Sequence, residues 1–282
     1  MNKADIYLDA MIHEIQIRGY KDINPRPKYA DGTPAHTISV NHTCRKYDLS
    51  NGEFPITTLR PIAWKTGIKE IFTIYQKPTN EIAKMEEMGV NWWKDWDIGD
   101  GTIGQRYGAT VSRYDLINNL IKDIQIDPYG RRKVVSLWQE TDLRETAGLA
   151  PCAFLTIWNV RGEYLDMCLI QRSGDMLTAS GPGCVNEVQY AALLMMIARH
   201  TGYQPGVFTH FVANEQIYDR HMDAANELQT RFSNILCDEY EQPYPHLVLN
   251  PEKTNFYDMT IDDFTIVNYE PIKPQLKLEL GI

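Results

Sequence analysis

The sequence contains no CxxC pair, no low-complexity tract, no internal repeat and no stretch of about 18 consecutive apolar residues. The first absence argues against a zinc ribbon or a thioredoxin-type redox centre, and no HExxH spacing offers another metal site. The second leaves no linker or disordered arm to explain, and the last argues against a membrane span. The N-terminus, MNKADIYLDAMIHEI, lacks the apolar block of a signal peptide. Basic residues are also in short supply. Lys and Arg number 28 against 37 Asp and Glu, a formal net charge of -9. Such a chain is a poor general binder of nucleic acid, although a few local arginines can still hold a small anion. Five scattered cysteines, an odd number, suit reduced thiols in a cytoplasmic protein.

What is present is ample material for a core: 43% hydrophobic residues, with 16 Tyr, 8 Phe and 6 Trp. Helical spacing is read over 3–18, 64–76, 79–88 and 112–126. A Pro/Gly/Asp-rich loop occupies 24–34, and a glycine-rich loop 99–108. Strands are expected at 36–47, 133–138, 154–160, 164–171 and 206–213. The strongest helix is NEVQYAALLMMIARHT at 186–201, apolar all round and stopped at Gly202. A further helix is read at 217–232, and a β-like tail with prolines at 264–280. One mixed α/β domain spanning 1–282 is the simplest organisation.

Cys152, in Leu149-Ala150-Pro151-Cys152-Ala153, precedes a predicted strand. A lone cysteine is most often a small buried hydrophobe, and becomes a nucleophile only where positive charge supports its thiolate. Arg172 is the candidate: a strand, a turn at Asn159-Val160-Arg161-Gly162-Glu163 and a return strand bring it close. Arg131-Arg132 reads as a solvated surface pair or as a phosphate clamp, because guanidinium forks match phosphate oxygens.

Several segments together resemble thymidylate synthase: DGTPAHTISV (31–40), WWKDW (92–96), DGTIGQRYG (100–108), GRRKVVSLW (130–138), APCAF (150–154), QRSGDMLTA (171–179), VNEVQYAALLMMIA (185–198), IYDRH (217–221) and FYDMTIDDF (256–264). They run in one order from near residue 20 to the C-terminus. The likeness is greatest to the subtype of Gram-positive bacteria and their phages, in which Ala rather than His follows the cysteine. It implies the thymidylate synthase fold, a large twisted mixed sheet flanked by helices and backed by a second subunit in a homodimer. It implies a pyrimidine nucleoside monophosphate as substrate and 5,10-methylenetetrahydrofolate as cosubstrate, with no metal.

By the same resemblance, Cys152 is the nucleophile that adds to C6 of the base, and Arg172 and Ser173 bind phosphate. Arg131 and Arg132 reach the partner's phosphate across the dimer. Asn186 reads the base, Tyr218 and Gln216 face the ribose, and Asp175 bonds the pterin. Glu70 and Tyr107 belong to a proton-transfer network, Trp93 and Trp96 wall base and folate, and the Ile282 carboxylate closes the site. Arg26 and Lys28 lie in the loop expected to close over phosphate.

The sequence departs from the family pattern in three places. The segment from Met176 to Asn186 is longer than in the family and has lost an aromatic. Gln216 replaces a ribose-facing His in Asn214-Glu215-Gln216, and Ile71 stands where a Trp is usual. Cys184 in the altered segment reads as a packing residue, and Asp219, His221 and Asp223 only superficially resemble a metal cluster. The altered segment favours admission of water to the C5 methylene intermediate, and hence hydroxymethylation of dUMP. The alternatives are reductive methylation of dUMP to dTMP and, as a lesser one, a non-catalytic nucleotide-binding relative. Asn rather than Asp at 186 favours dUMP over dCMP.

Overall fold

The computed structural model describes residues 1–237 and 244–281. Its helices are α1 (Lys3–Arg18), α2 (Trp64–Ile71), α3 (Ile82–Glu87), α4 (Gly108–Arg113), α5 (Leu116–Ile126), α6 (Glu140–Glu145), α7 (Val185–Thr201) and α8 (Met222–Cys237). The strands are β1 (Tyr20–Lys21), β2 (Thr37–Asp48), β3 (Val134–Ser136), β4 (Ala153–Arg161), β5 (Tyr164–Gln171), β6 (Gly174–Asp175), β7 (Gln204–Tyr218), β8 (His246–Leu249) and β9 (Phe264–Val267).

The first seven strands form one mixed sheet in the order β1-β2-β7-β5-β4-β3, with β6 beside the end of β7. β5 and β7 are parallel and α7 is the crossover between them; the other long pairings are antiparallel. β8 and β9 form a separate small hairpin. Among the described residues, no helix is long and apolar enough to cross a membrane.

α7 is buried nearly all round because it lies between the sheet and α2. Ala191, Leu194 and Ala198 share one core with Trp158, Leu165, Met167, Leu169 and Phe208 from the strands. The helix ends at Gly202, whose φ of 82° supplies the left-handed C-cap expected from the sequence. α1 and α8 cover Val40 and Ile217 in a second cluster. The far face of the sheet carries the half-buried Leu155, Ile157, Cys168, Ile170, Val207 and Phe211.

Several boundaries differ from the sequence reading; the tail read as β-like over 264–280, for one, is strand only over Phe264–Val267. The helix read at 112–126 breaks at Asp115, which sits at φ 51°. α2 passes at Phe72 into one π-helical turn, Phe72–Gln76. β7 does not stop at 213 but continues to Tyr218, and α8 begins only at Met222. The polar run Asn214-Glu215-Gln216 looks like a loop in sequence. It is strand because it pairs with β2 on one side and β6 on the other, and because Glu215 is a buried ion partner.

That ion partner is Arg45, 2% exposed in the middle of β2. Its Nε donates to Glu187 Oε1 at 2.7 Å, its Nη1 to Glu215 Oε2 at 2.6 Å, and its Nη2 to the carbonyl of Ser180 at 2.9 Å. Tyr47 donates to Glu187 Oε2 at 2.8 Å and Thr43 to Glu215 Oε2 at 2.5 Å. Glu187 Oε2 also accepts from the backbone N–H of Gly183 at 2.7 Å.

The cluster grips the lengthened segment at its middle, through the Ser180 carbonyl and the Gly183 N–H. Met176–Ser180 coils into a π-helical turn, and Gly181-Pro182-Gly183 then doubles back to start α7. Gly183 has φ 69°, and a Cβ there would collide with the backbone N of Thr57. The added residues are therefore taken up by packed structure, with Cys184 fully buried as a packing residue.

Candidate active site

β4 and β5 form a hairpin whose two-residue turn is opened by Gly162 at φ 61°. At its open end Ala153 faces Gln171, so Cys152 and Arg172 lie opposite each other just beyond the paired strands. The backbone N–H of Arg172 donates to the carbonyl of Cys152 at 2.9 Å. The Arg172 side chain folds back over the turn that carries Cys152. Its Nε donates to the Pro151 carbonyl at 3.0 Å, and its Nη2 to the Ala150 carbonyl at 2.8 Å and to Cys152 Sγ at 3.4 Å. Trp138 supports the guanidinium from one side, with its ring centroid 5.9 Å away.

Two cavities meet here. One, of about 410 Å³, is lined by Cys152, Glu70, Tyr107, Asn186, Gln189 and the three tryptophans Trp92, Trp93 and Trp96. The other, of about 600 Å³, is lined by Arg172, Arg26, Trp138 and again Trp96. The first is mostly apolar with convergent polar groups, and the second brings two guanidiniums together, as a phosphate requires.

Burial pushes the Cys152 thiol above its ordinary value, and the charges of Arg172 and then Arg26 pull it partly back. In the free protein the thiol is thus held protonated. Inactivation by iodoacetamide should keep accelerating beyond the pH at which a model thiol levels off. A rate already at its plateau at neutral pH would contradict this placement of the thiol.

Glu70, on α2, is fully enclosed. Its Oε1 accepts from Trp92 Nε1 at 2.6 Å and from Trp93 Nε1 at 2.5 Å, and its Oε2 accepts from Gln189 Nε2. Burial raises its carboxyl above the ordinary carboxylate range despite these donors. Tyr107 precedes α4 with the strained backbone φ 47°, ψ -109°. Its phenol stays protonated, held well above its usual value by burial and then by the negative charge Cys152 would carry on ionising. Its ring meets Trp93 edge-on at 5.0 Å.

Asn186 is in the first turn of α7 and donates from Nδ2 to Gln189 Oε1 at 2.9 Å. Asp175 caps the π-helical turn after β6, accepting from Thr178 at both its hydroxyl and its backbone N–H. Burial nevertheless raises its carboxyl. Gln216 is half-buried at the end of β7, paired with Asp175 and Ser39. The Tyr218 hydroxyl donates to the Gly281 carbonyl at 3.4 Å. Ser173 is beside Arg172, with its carbonyl accepting from Gln171 Nε2 at 3.0 Å.

Arg131 and Arg132 stand apart from this group, both exposed just before β3. Lys28 is exposed in the loop that carries Arg26. Ile282 lies outside the described residues. Asp219, His221 and Asp223 do not converge as ligands: among the described residues no three His, Cys, Asp or Glu side chains could hold a metal ion.

Sequence reasoning missed Trp92, Gln189 and Arg60. Trp92 is adjacent to a flagged tryptophan, and Gln189 lies one helical turn after Asn186 on the same face, so both carried a positional signal. Arg60 carried none. It is 4% exposed on the wall of the first cavity, donates to Cys184 Sγ at 3.3 Å and to the Leu177 carbonyl, and its Nε finds no partner among the described residues.

Fold and site together define an enzyme-type pocket in which a cysteine faces a guanidinium beside an arginine-lined cavity, with a buried carboxyl and phenol close by. The chain matches the thymidylate synthase family model over residues 5–282. It is 48% identical to thymidylate synthase from Lactococcus lactis subsp. cremoris and 47% identical to that from Streptococcus pneumoniae strain 70585, covering all of each chain in both cases. Its structure is similar to that of thermostable thymidylate synthase A from Bacillus subtilis, with a TM-score of 0.87 and 33% identity over 99% of both chains. The chain belongs to the thymidylate synthase family.

Proposed function

We propose that this chain, acting as a single catalytic domain, reductively methylates dUMP to dTMP, with 5,10-methylenetetrahydrofolate supplying both the methylene carbon and the hydride. The observation that carries the reading is Cys152 Sγ lying 3.4 Å from a guanidinium where an apolar cavity meets an arginine-lined one. A nucleotide with its phosphate at Arg172 and Arg26 places its base over the thiol, against Trp93 and Trp96.

In this reading Cys152 Sγ adds to C6 and the electron pair passes to C5 and the O4 enolate, which Asn186 Nδ2 can stabilise by donation. C5 takes up the methylene carbon. Tyr107 and the Glu70 network then carry the C5 proton away. Expulsion of the folate amine leaves an exocyclic methylene, hydride from the tetrahydropterin reduces it, and the C6–S bond breaks to restore the thiolate. Asp175 is suited to accept from the pterin amide once the ring displaces part of the Thr178 contact.

The altered segment between Met176 and Asn186 favours hydroxymethylation on sequence alone. Two observations favour methylation instead. The segment's added length is absorbed by a π-helical turn pinned to the Arg45 cluster, and its Thr178 hydroxyl is engaged by Asp175 rather than offered to water. The relatives at 47–48% identity over the full chain are thymidylate synthases. With dUMP and methylenetetrahydrofolate, dihydrofolate absorbance should grow in step with dTMP, one for one. Tetrahydrofolate accumulating with a hydroxymethylated nucleotide would show that water, not hydride, adds to the exocyclic methylene and would overturn the assignment.

A homodimer is part of the proposal. What supports it is the far face of the sheet, where Leu155, Ile157, Ile170 and Phe211 are only half-buried, an apolar face of the kind that pairs with its own copy. The exposed Arg131 and Arg132 make no contact with their own chain's phosphate cavity, which suits delivery of their charge to a partner.

A further inference from the structure

Asn186 is held between two other amides. On one side its Nδ2 donates to Gln189 Oε1 at 2.9 Å, and Gln189 Nε2 is committed to the Gly67 carbonyl at 3.2 Å and to Glu70. On the other side Gln171 Nε2 donates to the Ser173 carbonyl at 3.0 Å and reaches Asn186 Oδ1 at 3.5 Å. A carbonyl only accepts, so Ser173 determines which way round the Gln171 amide lies. Gln171 Oε1 then faces His210 Nε2 at 3.1 Å, and that nitrogen must carry a proton.

His210 is wholly buried on β7. Its Nδ1 is 3.0 Å from Glu187 Oε1 and 3.1 Å from Arg45 Nη2. A neutral ring accepts there from Arg45, and a charged ring donates there to Glu187. In both states the proton on Nε2 stays, so the donation to Gln171 is independent of the ring's charge.

We propose that His210, backed by the Arg45–Glu187–Glu215 cluster, is a positioning residue that sets the orientation of the Asn186 amide through Gln171 and thereby enforces uracil over cytosine. The inference rests on Asn186 reading the base, and extends that reading to residues that touch no substrate. With Oδ1 held toward Gln171 and Nδ2 toward Gln189, Asn186 can accept from N3–H and donate to O4, the pattern of uracil. Cytosine, with a bare N3 and a 4-amino group, requires the amide reversed, against both neighbours. The cluster also holds the lengthened segment in front of α7 through Ser180 and Gly183, so one buried network fixes the segment and the amide beyond it.

The test compares His210→Asn, which keeps an amide on the Glu187 side but withdraws the donor facing Gln171, with His210→Gln, whose terminal amide reaches toward Gln171. kcat/KM is measured for dUMP and for dCMP, with thermal midpoints taken alongside. H210N is expected to lose about tenfold in kcat/KM for dUMP and about tenfold in dUMP-over-dCMP preference, the worth of one buried hydrogen bond, while H210Q retains most of both. Equal losses in the two variants, or an unchanged preference in H210N, overturn the proposal. Should H210N fail to fold, Gln171→Glu serves instead. It still accepts from His210 but cannot donate to Asn186 Oδ1, so it should narrow the preference as H210N would, and an unchanged preference again overturns the relay. Asn186→Asp separates the two levels: unaltered base preference in N186D removes the base-reading role itself, whereas altered preference in N186D but not in H210N or Q171E removes only the relay.

Discussion

Cys152→Ser should cut turnover of dUMP by on the order of a thousandfold or more while leaving nucleotide binding close to normal. The reasoning is local. The side chain differs by one atom, so the turn at Ala150-Pro151 and its Arg172 contacts survive. What is lost is a sulfur nucleophile, whose thiolate forms far more readily and attacks carbon far better than an alkoxide at the same place. A serine hydroxyl at the same place has no adjacent His to deprotonate it, since the surrounding donors and carboxyl belong to Tyr107, Asn186 and Glu70. Without addition at C6, C5 of uracil remains a weak carbon nucleophile, and nothing downstream proceeds. Mass spectrometry of the protein denatured with dUMP and folate reads the adduct directly, and steady-state assay reads turnover. Near-normal turnover in C152S would falsify the assignment of the nucleophile.

The second large effect is on stability. Arg45→Leu should destabilise the folded protein by about 3–5 kcal/mol, because it strands two buried carboxylates. Glu187 and Glu215 are both fully buried, and each depends on the same guanidinium. Burial works against ionisation of Glu187, but Arg45, His210 and the Gly183 N–H outweigh it and hold its carboxyl down to about 2, from 4.5. A depressed carboxyl contributes stability at pH above its unfolded value and loses it as pH falls through the folded one. The gap between wild type and R45L is therefore full above about pH 5, and closes as pH falls from 4.5 toward 2. Urea melts at pH 7 and at pH 3.5 measure both. A triple variant that replaces Arg45, Glu187 and Glu215 by apolar residues should recover much of the loss, since no bare charge is left. An R45L variant as stable as wild type at pH 7 would mean the cluster contributes nothing net.

The parts of this molecule that were legible in the sequence share a cause: their determinants are close in the chain. α7 announces itself by the apolar run Tyr190–Ala198 with Gly202 stopping the helix soon after, and the β4–β5 hairpin by alternation around Gly162. That hairpin alone was enough to predict Cys152 beside Arg172. The rest was illegible because its determinants are far apart. Arg45 is 142 residues from Glu187 and 170 from Glu215, and charged residues on a strand read as surface when nothing local reveals a partner. The same blindness shortened β7, since Glu215 looks like a loop residue until Arg45 is placed opposite it. The altered segment was hard to read in another way. Its length is visible in sequence, but the π-helical turn that absorbs the extra residues depends on Arg45 holding the Ser180 carbonyl, and so the altered segment read as a widened, wetter site.

The hairpin's geometry also limits how this enzyme can vary. Side chains alternate between faces along a strand, so adding or deleting one residue within β4 or β5 would turn either the thiol or its guanidinium to the opposite side of the sheet. Extra residues at Gly162-Glu163, at the far end of the ribbon, leave the pairing intact. Tolerance of length change therefore belongs to the tip of the hairpin, and its open end is restricted to substitutions that preserve the count.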